Sequence, residues 1–193
     1  VAAYHRKMLN LNVNLNIINK AEEAQEKKPN IINCCNEEIK VEVGTSTPQA
    51  GEAAFKALER ATKDLKEGKI DVLVTAPINK NNIQSENFSF PGHTEYLENL
   101  FGNKGDALMI LANDSLRVAV ATGHVPISKV SESLTKENIL TKIKQFNKSL
   151  IEDFGIFKPR IAVLGLNPHA GDKGVIGKEE EEIIAPAVKE ALD

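Results

Sequence analysis

The segments RVAVATGHVP at residues 117–126 and RIAVLGLNPHAG at residues 160–171 share one design. In each, a basic residue opens a short apolar run, which stops at small residues and then presents a histidine. A third histidine lies in FPGHTE at residues 90–95, after an earlier apolar run. Buried parallel strands read as continuous apolar runs, and ligands of open α/β sheets bind at the carboxyl ends of such strands. The pattern predicts an α/β protein with a site near these histidines.

Further strands and helices fit the same fold class. The segments 107–111 and 116–121 are too close for a parallel crossover, so they predict an antiparallel hairpin and therefore a mixed sheet. Other strands are predicted at residues 11–18, 39–43, 70–74 and 160–166. Helical spacing predicts helices at residues 1–9, 54–65, 94–100, 136–154 and 179–192, with a short helical turn within 128–133. We expect Thr94 and Thr135 to cap two of these helices, and Gly68 and Gly155 to end two.

Composition limits the classes of function. The chain has 193 residues, 41% hydrophobic and 26% charged residues, and a formal net charge of -3. This charge predicts no nucleic-acid partner, and no apolar run approaches the roughly 20 residues of a membrane span. The adjacent Cys34 and Cys35 are poorly placed for a disulfide, and no signal peptide opens the chain, so we expect a cytoplasmic protein. The pattern at both ends of the sequence is that of part of a helix, which predicts one incomplete α/β region of a longer chain. We also expect a sub-boundary near residues 39–50.

Two loops are candidate anion contacts. GTSTPQAG at residues 44–51 precedes a helix, and such a loop either cradles a phosphate through backbone N–H groups or simply caps the helix. Lys80 follows the apolar run at 70–74, where it is either an anion contact or a surface lysine. His93 stands at the start of a predicted helix, where a phosphate or carboxylate is favoured. His5 lies among basic residues and is interpreted as an exposed surface histidine.

The remaining two histidines are candidate metal ligands. His124 and His169 each follow a predicted strand, and on neighbouring strands their rings would open into one crevice. The alternative is that both only order their loops. A catalytic zinc site normally has three protein ligands, so two histidines leave the shell incomplete. The four glutamates at residues 179–182 suit the start of a helix better than a metal site. Gly171, Gly174 and Gly177 do not form a dinucleotide fingerprint, since they do not open a helix directly after a strand.

Several motifs carry a resemblance to a known family. VTAPINK, FPGHTEYL, LRVAVATGHVPI and FGIFKPRIAVLGLNPHAGDKGVIGKEE occur in this order, and from about Gly44 onward the chain resembles the central part of the 4-hydroxythreonine-4-phosphate dehydrogenases of vitamin B6 biosynthesis. The resemblance implies a three-layer α/β/α fold similar to isocitrate and isopropylmalate dehydrogenases, incomplete at both ends here. Those folds bind NAD without the Rossmann fingerprint.

The resemblance also implies an activity and site residues. The activity is NAD- or NADP-dependent oxidation of 4-phosphohydroxy-L-threonine, followed by decarboxylation to 3-amino-2-oxopropyl phosphate. It implies that His93 and Thr94 bind substrate and that His124 and His169 bind one divalent metal, Zn, Mg or Co, which stabilises the developing alkoxide and the later enolate. The catalytic and cofactor-binding residues stay unknown. The implied assembly is a homodimer whose site is shared between subunits.

The chain departs from the family pattern in three places. The glycine-rich opening segment, the third metal histidine in an HDQG motif and the C-terminal basic phosphate contacts do not occur. We therefore expect the 193-residue chain alone to be inactive. The alternatives are a paralogous dehydrogenase acting on a threonate or erythronate phosphate, and a non-catalytic fragment that binds metal or phosphorylated metabolites. A metal-dependent hydrolase is more distant, because no general base is evident beside the two histidines.

Overall fold

The structure, a computed structural model, describes residues 1–35, 38–103 and 105–192. The chain is α/β and divides into two compact units, Val1–Asp106 and Ala107–Asp193. Its helices are α1 (Ala2–Met8), α2 (Pro48–Lys66), α3 (His93–Phe101), α4 (Val130–Ser133), α5 (Lys136–Glu152) and α6 (Ala185–Glu190). Its strands are β1 (Asn16–Ile18), β2 (Asn30–Ile32), β3 (Ile110–Ala112) and β4 (Arg117–Ala119). The sub-boundary expected near residues 39–50 stays a prediction.

An aromatic cluster forms the core of the first unit. Helix α2 begins at Pro48 because the Thr47 hydroxyl accepts a hydrogen bond from the backbone N–H of Ala50 at 3.2 Å. Its buried face packs against a loop and against α3, and the buried residues of this cluster are Phe55, Leu58, Ile83, Phe88 and Tyr96. The Phe88 ring is fully buried, with its centroid 5.2 Å from that of Tyr96. This packing fixes α3, which carries His93.

Helix packing and a hairpin form the second unit. The Thr135 hydroxyl accepts from the backbone N–H of Asn138 at 3.1 Å and so caps α5, as predicted. Strands β3 and β4 pair antiparallel, and the turn between them is closed by Asn113, whose side-chain oxygen accepts two backbone N–H bonds. Helices α5 and α6 meet at a buried cluster made of Leu134, Ile139, Ile184 and Ala187. An apolar groove of about 610 Å³ lies between β4, α5 and residues 160–164.

Several predicted strands are wrong. Residues 39–43, 70–74 and 160–166 form no strand, and Val74 and Leu164 are 88% and 82% exposed. A strand exists only where a neighbouring segment accepts and donates its backbone hydrogen bonds, and within the described residues no segment does this for them. The predicted hairpin is confirmed, but its ladder is limited to β3 and β4. Instead of one mixed sheet, the described part of the chain contains two separate two-stranded sheets.

The N-terminal strand pair was partly missed. Strand β1 covers only the end of the strand predicted at residues 11–18, and it pairs in parallel with β2, where no strand is predicted. The two strands meet side by side at Asn16 and Asn30, where the Asn16 amide donates to the Asn30 side-chain oxygen at 2.8 Å. Both strands are only three residues long, Asn-Ile-Ile, and two adjacent isoleucines are too short an apolar pattern to indicate β2.

The helices match the sequence more closely. Helix α5 runs from Lys136 to Glu152, and Gly155 adopts φ 67° just after it, as expected of a helix end. The short helical turn is present as a 3₁₀ turn, Ile127–Lys129, followed by α4. The last predicted helix begins with a π-helical turn, Glu180–Ile184, before α6.

Candidate functional site

His93 and Thr94 open helix α3 in the first unit. The N-cap residue is Gly92, which has no side chain to cap the helix, so the prediction that Thr94 caps it is wrong. Thr94 is instead the second residue of the helix, and both His93 and Thr94 are half-buried. The first backbone N–H groups of a helix have no partner within it and carry a partial positive charge. The start of α3 is thus suited to an anionic group.

Lys80 lies beside this helix start. A Cβ atom built on Gly92 would lie 3.7 Å from Cε and 4.0 Å from Nζ of Lys80. The Gln84 side chain holds the two segments together, because its amide donates to the carbonyl oxygens of Lys80 at 3.0 Å and Phe90 at 2.9 Å. An exposed ammonium group therefore stands next to the N-terminus of α3, but the Glu95 carboxylate lies at the same place, since its Oε2 would be 3.6 Å from that Cβ. An anion contact by Lys80 stays a prediction.

The GTSTPQAG segment caps helix α2 through Thr47, which is the simpler of its two interpretations. Only residues 44–47 precede the helix, because α2 already begins at Pro48. Besides capping with Thr47, the loop is joined to the Lys80 loop, since Asn79 donates to Ser46 Oγ at 3.2 Å and Asn82 donates to the Thr47 carbonyl at 3.2 Å. A Cβ at Gly51 would lie 1.9 Å from the Asn82 carbonyl oxygen, so this close approach requires glycine. A phosphate contact at this loop stays a prediction.

His124 and His169 occupy exposed loops of the second unit. Both adopt left-handed backbone conformations, with φ 54° and 53°, which non-glycine residues rarely take. His124 follows β4, as predicted. His169 follows an extended segment that is not a strand and sits in a turn, Pro168–Asp172, in which His169, Ala170 and Gly171 are all left-handed. Strained backbone of this kind clusters at functional sites.

Two glutamates anchor the loop that carries His169. Glu180 Oε1 accepts from the backbone N–H groups of Leu166 at 2.8 Å and Asn167 at 2.6 Å, while its Oε2 accepts from the Asn167 side chain at 3.0 Å. The same amide donates to Glu179 Oε2 at 2.8 Å, and the Ser131 hydroxyl donates to Glu179. These hydrogen bonds, first those from Asn167, lower the pKa of Glu180 from its ordinary value of 4.5. The sequence interpretation of these glutamates as helix-start charges missed this role.

The donor set for a metal is incomplete within the described residues. Imidazole is the right ligand chemistry for zinc and related cations, and two exposed histidines on loops of one unit supply it. Across residues 1–35, 38–103 and 105–192, however, no three His, Cys, Asp or Glu side chains are grouped closely enough to hold a metal ion. The assignment of His124 and His169 as metal ligands stays a prediction.

The other candidates from the sequence are His5 and the two cysteines. His5 is half-buried on α1, not exposed as expected, because its ring meets the edge of Tyr4 at 5.5 Å between centroids. Cys34 and Cys35 are free thiols, as predicted. Within the described residues, no helix is both long and apolar enough to cross a membrane.

Comparison with known proteins identifies the family. The model of the family described as "Pyridoxal phosphate biosynthetic protein PdxA" matches residues 1–193. A 4-hydroxythreonine-4-phosphate dehydrogenase of Bacteroides thetaiotaomicron is 54% identical over 190 residues, 98% of this chain and 52% of that protein. A Clostridium botulinum protein provisionally named D-threonate 4-phosphate dehydrogenase is 36% identical over 185 residues, 94% of this chain and 55% of that protein.

A solved structure agrees with these relatives. The crystal structure of 4-hydroxythreonine-4-phosphate dehydrogenase from Klebsiella pneumoniae matches with a TM-score of 0.81 and 34% identity, over 96% of this chain and 57% of that one. The chain belongs to the PdxA family of pyridoxal phosphate biosynthesis. It spans about half the length of the curated relatives that it matches.

Proposed function

We propose that this chain, at the full length that its relatives have, oxidises 4-phosphohydroxy-L-threonine with NAD or NADP and decarboxylates the product to 3-amino-2-oxopropyl phosphate in pyridoxal phosphate biosynthesis. The observation that carries the proposal is 54% identity, over nearly the whole chain, to a protein named for this dehydrogenase. The three-layer arrangement and the likeness to isocitrate and isopropylmalate dehydrogenases belong to the same proposal, and so does a cytoplasmic location. The TM-score of 0.81 to a family structure supports the fold.

The first unit binds the substrate in this proposal. His93 and Thr94 contact it at the start of α3, where backbone N–H groups favour an anionic group. The Lys80 ammonium, next to Gly92, adds a positive charge at the same place, where it also offsets the negative charge of the Glu95 carboxylate. A substrate that carries both a carboxylate and a phosphate offers two groups of the required charge. Half-burial of His93 and Thr94 restricts water around the bound group and strengthens each hydrogen bond.

The second unit supplies two metal ligands in this proposal. His124 and His169 each present an imidazole from a left-handed loop. A divalent cation such as Zn, Mg or Co, when bound there, would act as a Lewis acid toward a substrate oxygen. We assign the further ligands to a homodimer whose subunits share the site. The residues that bind NAD or NADP, which accepts the hydride, are not assigned.

The second candidate is a dehydrogenase for threonate 4-phosphate or a similar sugar-acid phosphate. The Clostridium botulinum relative, at 36% identity, favours it. The two substrates differ at C2, which bears an amino group in one and a hydroxyl in the other, so the groups that contact this atom decide between them. If neither substrate is turned over, the remaining interpretation is a non-catalytic protein that binds metal or phosphorylated metabolites.

Steady-state kinetics of the full-length gene product test the proposal. With NAD and a divalent metal, turnover of 4-phosphohydroxy-L-threonine should exceed that of threonate 4-phosphate at least tenfold in kcat/KM. His93→Ala should lower kcat/KM by about 10- to 100-fold, the usual loss of a charge-assisted hydrogen bond. His5→Ala, on α1, is the matched control and should change it less than twofold. Preference for threonate 4-phosphate would replace the first candidate by the second, and an inert protein would exclude both.

A further inference from the structure

The loop that carries His169 adopts a backbone that needs outside support. Residues 169–174 all have positive φ, and four of them are not glycine, namely His169, Ala170, Asp172 and Lys173. Each left-handed non-glycine residue costs roughly 1–2 kcal/mol. The internal hydrogen bonds of the turn, such as Gly174 N to Gly171 O at 3.0 Å, are those of an ordinary short turn. An isolated loop of this sequence would relax, so its shape depends on contacts from outside the turn.

Glu180 provides those contacts. Its side chain is buried, and it receives three hydrogen bonds from the two residues just before the turn, Leu166 and Asn167. All three have an ionised acceptor, which makes them about twice as strong as neutral hydrogen bonds. Both backbone N–H groups donate to the same oxygen, Glu180 Oε1, and so fix the direction of the chain as it approaches Pro168 and His169.

Glycines shape the loop around this carboxylate. A Cβ at Gly165 would lie 3.3 Å from Glu180 Oε1, and one at Gly171 would lie 2.9 Å from Oε2 and 2.4 Å from the Gly177 carbonyl oxygen. Gly177 lies against Asn167, whose Nδ2 would be 2.4 Å from a Cβ there. The chain therefore wraps the carboxylate closely before and after His169, and this close fit restricts the backbone from which the His169 side chain projects.

We propose that Glu180 is a positioning residue for His169. The Glu180 carboxylate holds the backbone at Leu166 and Asn167 and so sets the position from which the imidazole projects. The inference rests on the metal-binding role proposed for His169. It goes beyond that role in assigning a function to one of the four consecutive glutamates. Residues behind a metal ligand typically change metal affinity by 10- to 100-fold when they are replaced.

The matched pair of variants is Glu180→Gln and Glu181→Gln in the full-length protein. Both remove one negative charge from the same turn, but Glu181 is exposed whereas Glu180 is buried. Glutamine at 180 keeps one acceptor for the backbone N–H groups, yet turns its own amide N–H₂ toward that of Asn167. Titration with Co²⁺ alone, followed by absorption spectroscopy, should give a dissociation constant 10- to 100-fold higher for Glu180→Gln and within twofold of the parent for Glu181→Gln.

A double-mutant cycle with His169→Ala separates positioning from general destabilisation. If Glu180 acts through His169, Glu180→Gln should cause no further loss of Co²⁺ affinity once the imidazole is gone. An additive loss in the double variant would mean that Glu180 only stabilises the fold, and would overturn the inference. If His169→Ala alone leaves Co²⁺ affinity unchanged, the proposed metal role has failed instead.

A milder variant covers the case in which Glu180→Gln does not fold. Asn167→Ala removes the side-chain bond to Glu180 Oε2 but keeps both backbone N–H bonds to Oε1. It should weaken Co²⁺ binding about 3- to 10-fold, and this loss too should vanish in the His169→Ala background. Unchanged affinity in a folded Asn167→Ala protein, with His169→Ala clearly weakened, would contradict the inference.

Discussion

The two units position their candidate histidines by different means. His93 is the first residue of a regular helix, and that helix is held by Tyr96, which packs into the aromatic core. His169 lies in a left-handed turn with no regular structure, held by the buried carboxylate of Glu180. Apolar packing fixes the first histidine, and charge-assisted hydrogen bonds fix the second. The two sites should therefore respond to different perturbations.

The largest expected effect is on the first unit. Phe88→Ala removes a fully buried ring that touches Phe55, Phe90 and Tyr96, and should lower the free energy of unfolding by about 3–5 kcal/mol. Hydrogen exchange should accelerate in α3, around His93, and stay unchanged at residues 166–177. Phe157→Ala, at an 85% exposed position, is the control and should change stability by less than about 0.5 kcal/mol. Equal acceleration in both regions would mean that the two histidines are not supported independently.

The next effect is on the His169 loop. Gly171→Ala places a Cβ at φ 77° and 2.4 Å from the Gly177 carbonyl oxygen, so it should cost about 1–3 kcal/mol and speed hydrogen exchange at residues 166–177. Gly155→Ala is the matched control, because Gly155 has φ 67° with nothing within 4 Å of a Cβ. The control measures backbone strain alone, so the Gly171 variant should lose more stability. Identical losses would mean that the close approach is irrelevant.

The smallest effect is a pH dependence confined to the His169 loop. The pKa of Glu180 is lowered, so the folded state favours the ionised carboxylate. Its contribution to stability is fully present above the ordinary value of 4.5 and is lost as pH falls below it. In metal-free protein, exchange at the Leu166 and Asn167 amides, corrected for intrinsic rates, should accelerate below about pH 4.5. Glu180→Gln should remove this step, and a step that persists in the variant would assign it to another group.

The helices could be predicted from local sequence. Thr135 and Gly155 mark the two ends of α5, and an apolar stripe lies between them, so capping and periodicity suffice. The segments 70–74 and 160–166 show the limit of this approach. An apolar run indicates that a segment could form a strand. Whether it does depends on a partner segment that is distant in sequence, and the local pattern carries no information about that partner.

The candidate site was predicted only in part. The motifs indicated His93, Thr94, His124 and His169, but their backbone conformations and supports were not foreseen. Nothing local marks His169 as left-handed, because the conformation is imposed by contacts with residues that follow it by about ten positions. A run of glutamates at a helix start has an adequate local explanation, which hid the tertiary role of Glu180.

The segment at residues 161–166, which forms no strand, also bears on the aggregation of the protein in solution. IAVLGL has high β-propensity, no charge and no proline, and Leu164 is 82% exposed. Such a segment is a template for intermolecular β-pairing and fibril growth. Lys158, Pro159 and Arg160 directly before it oppose this, as flanking charges and proline do in aggregation-prone regions. Shelf life in solution should therefore depend on whether this short run is covered.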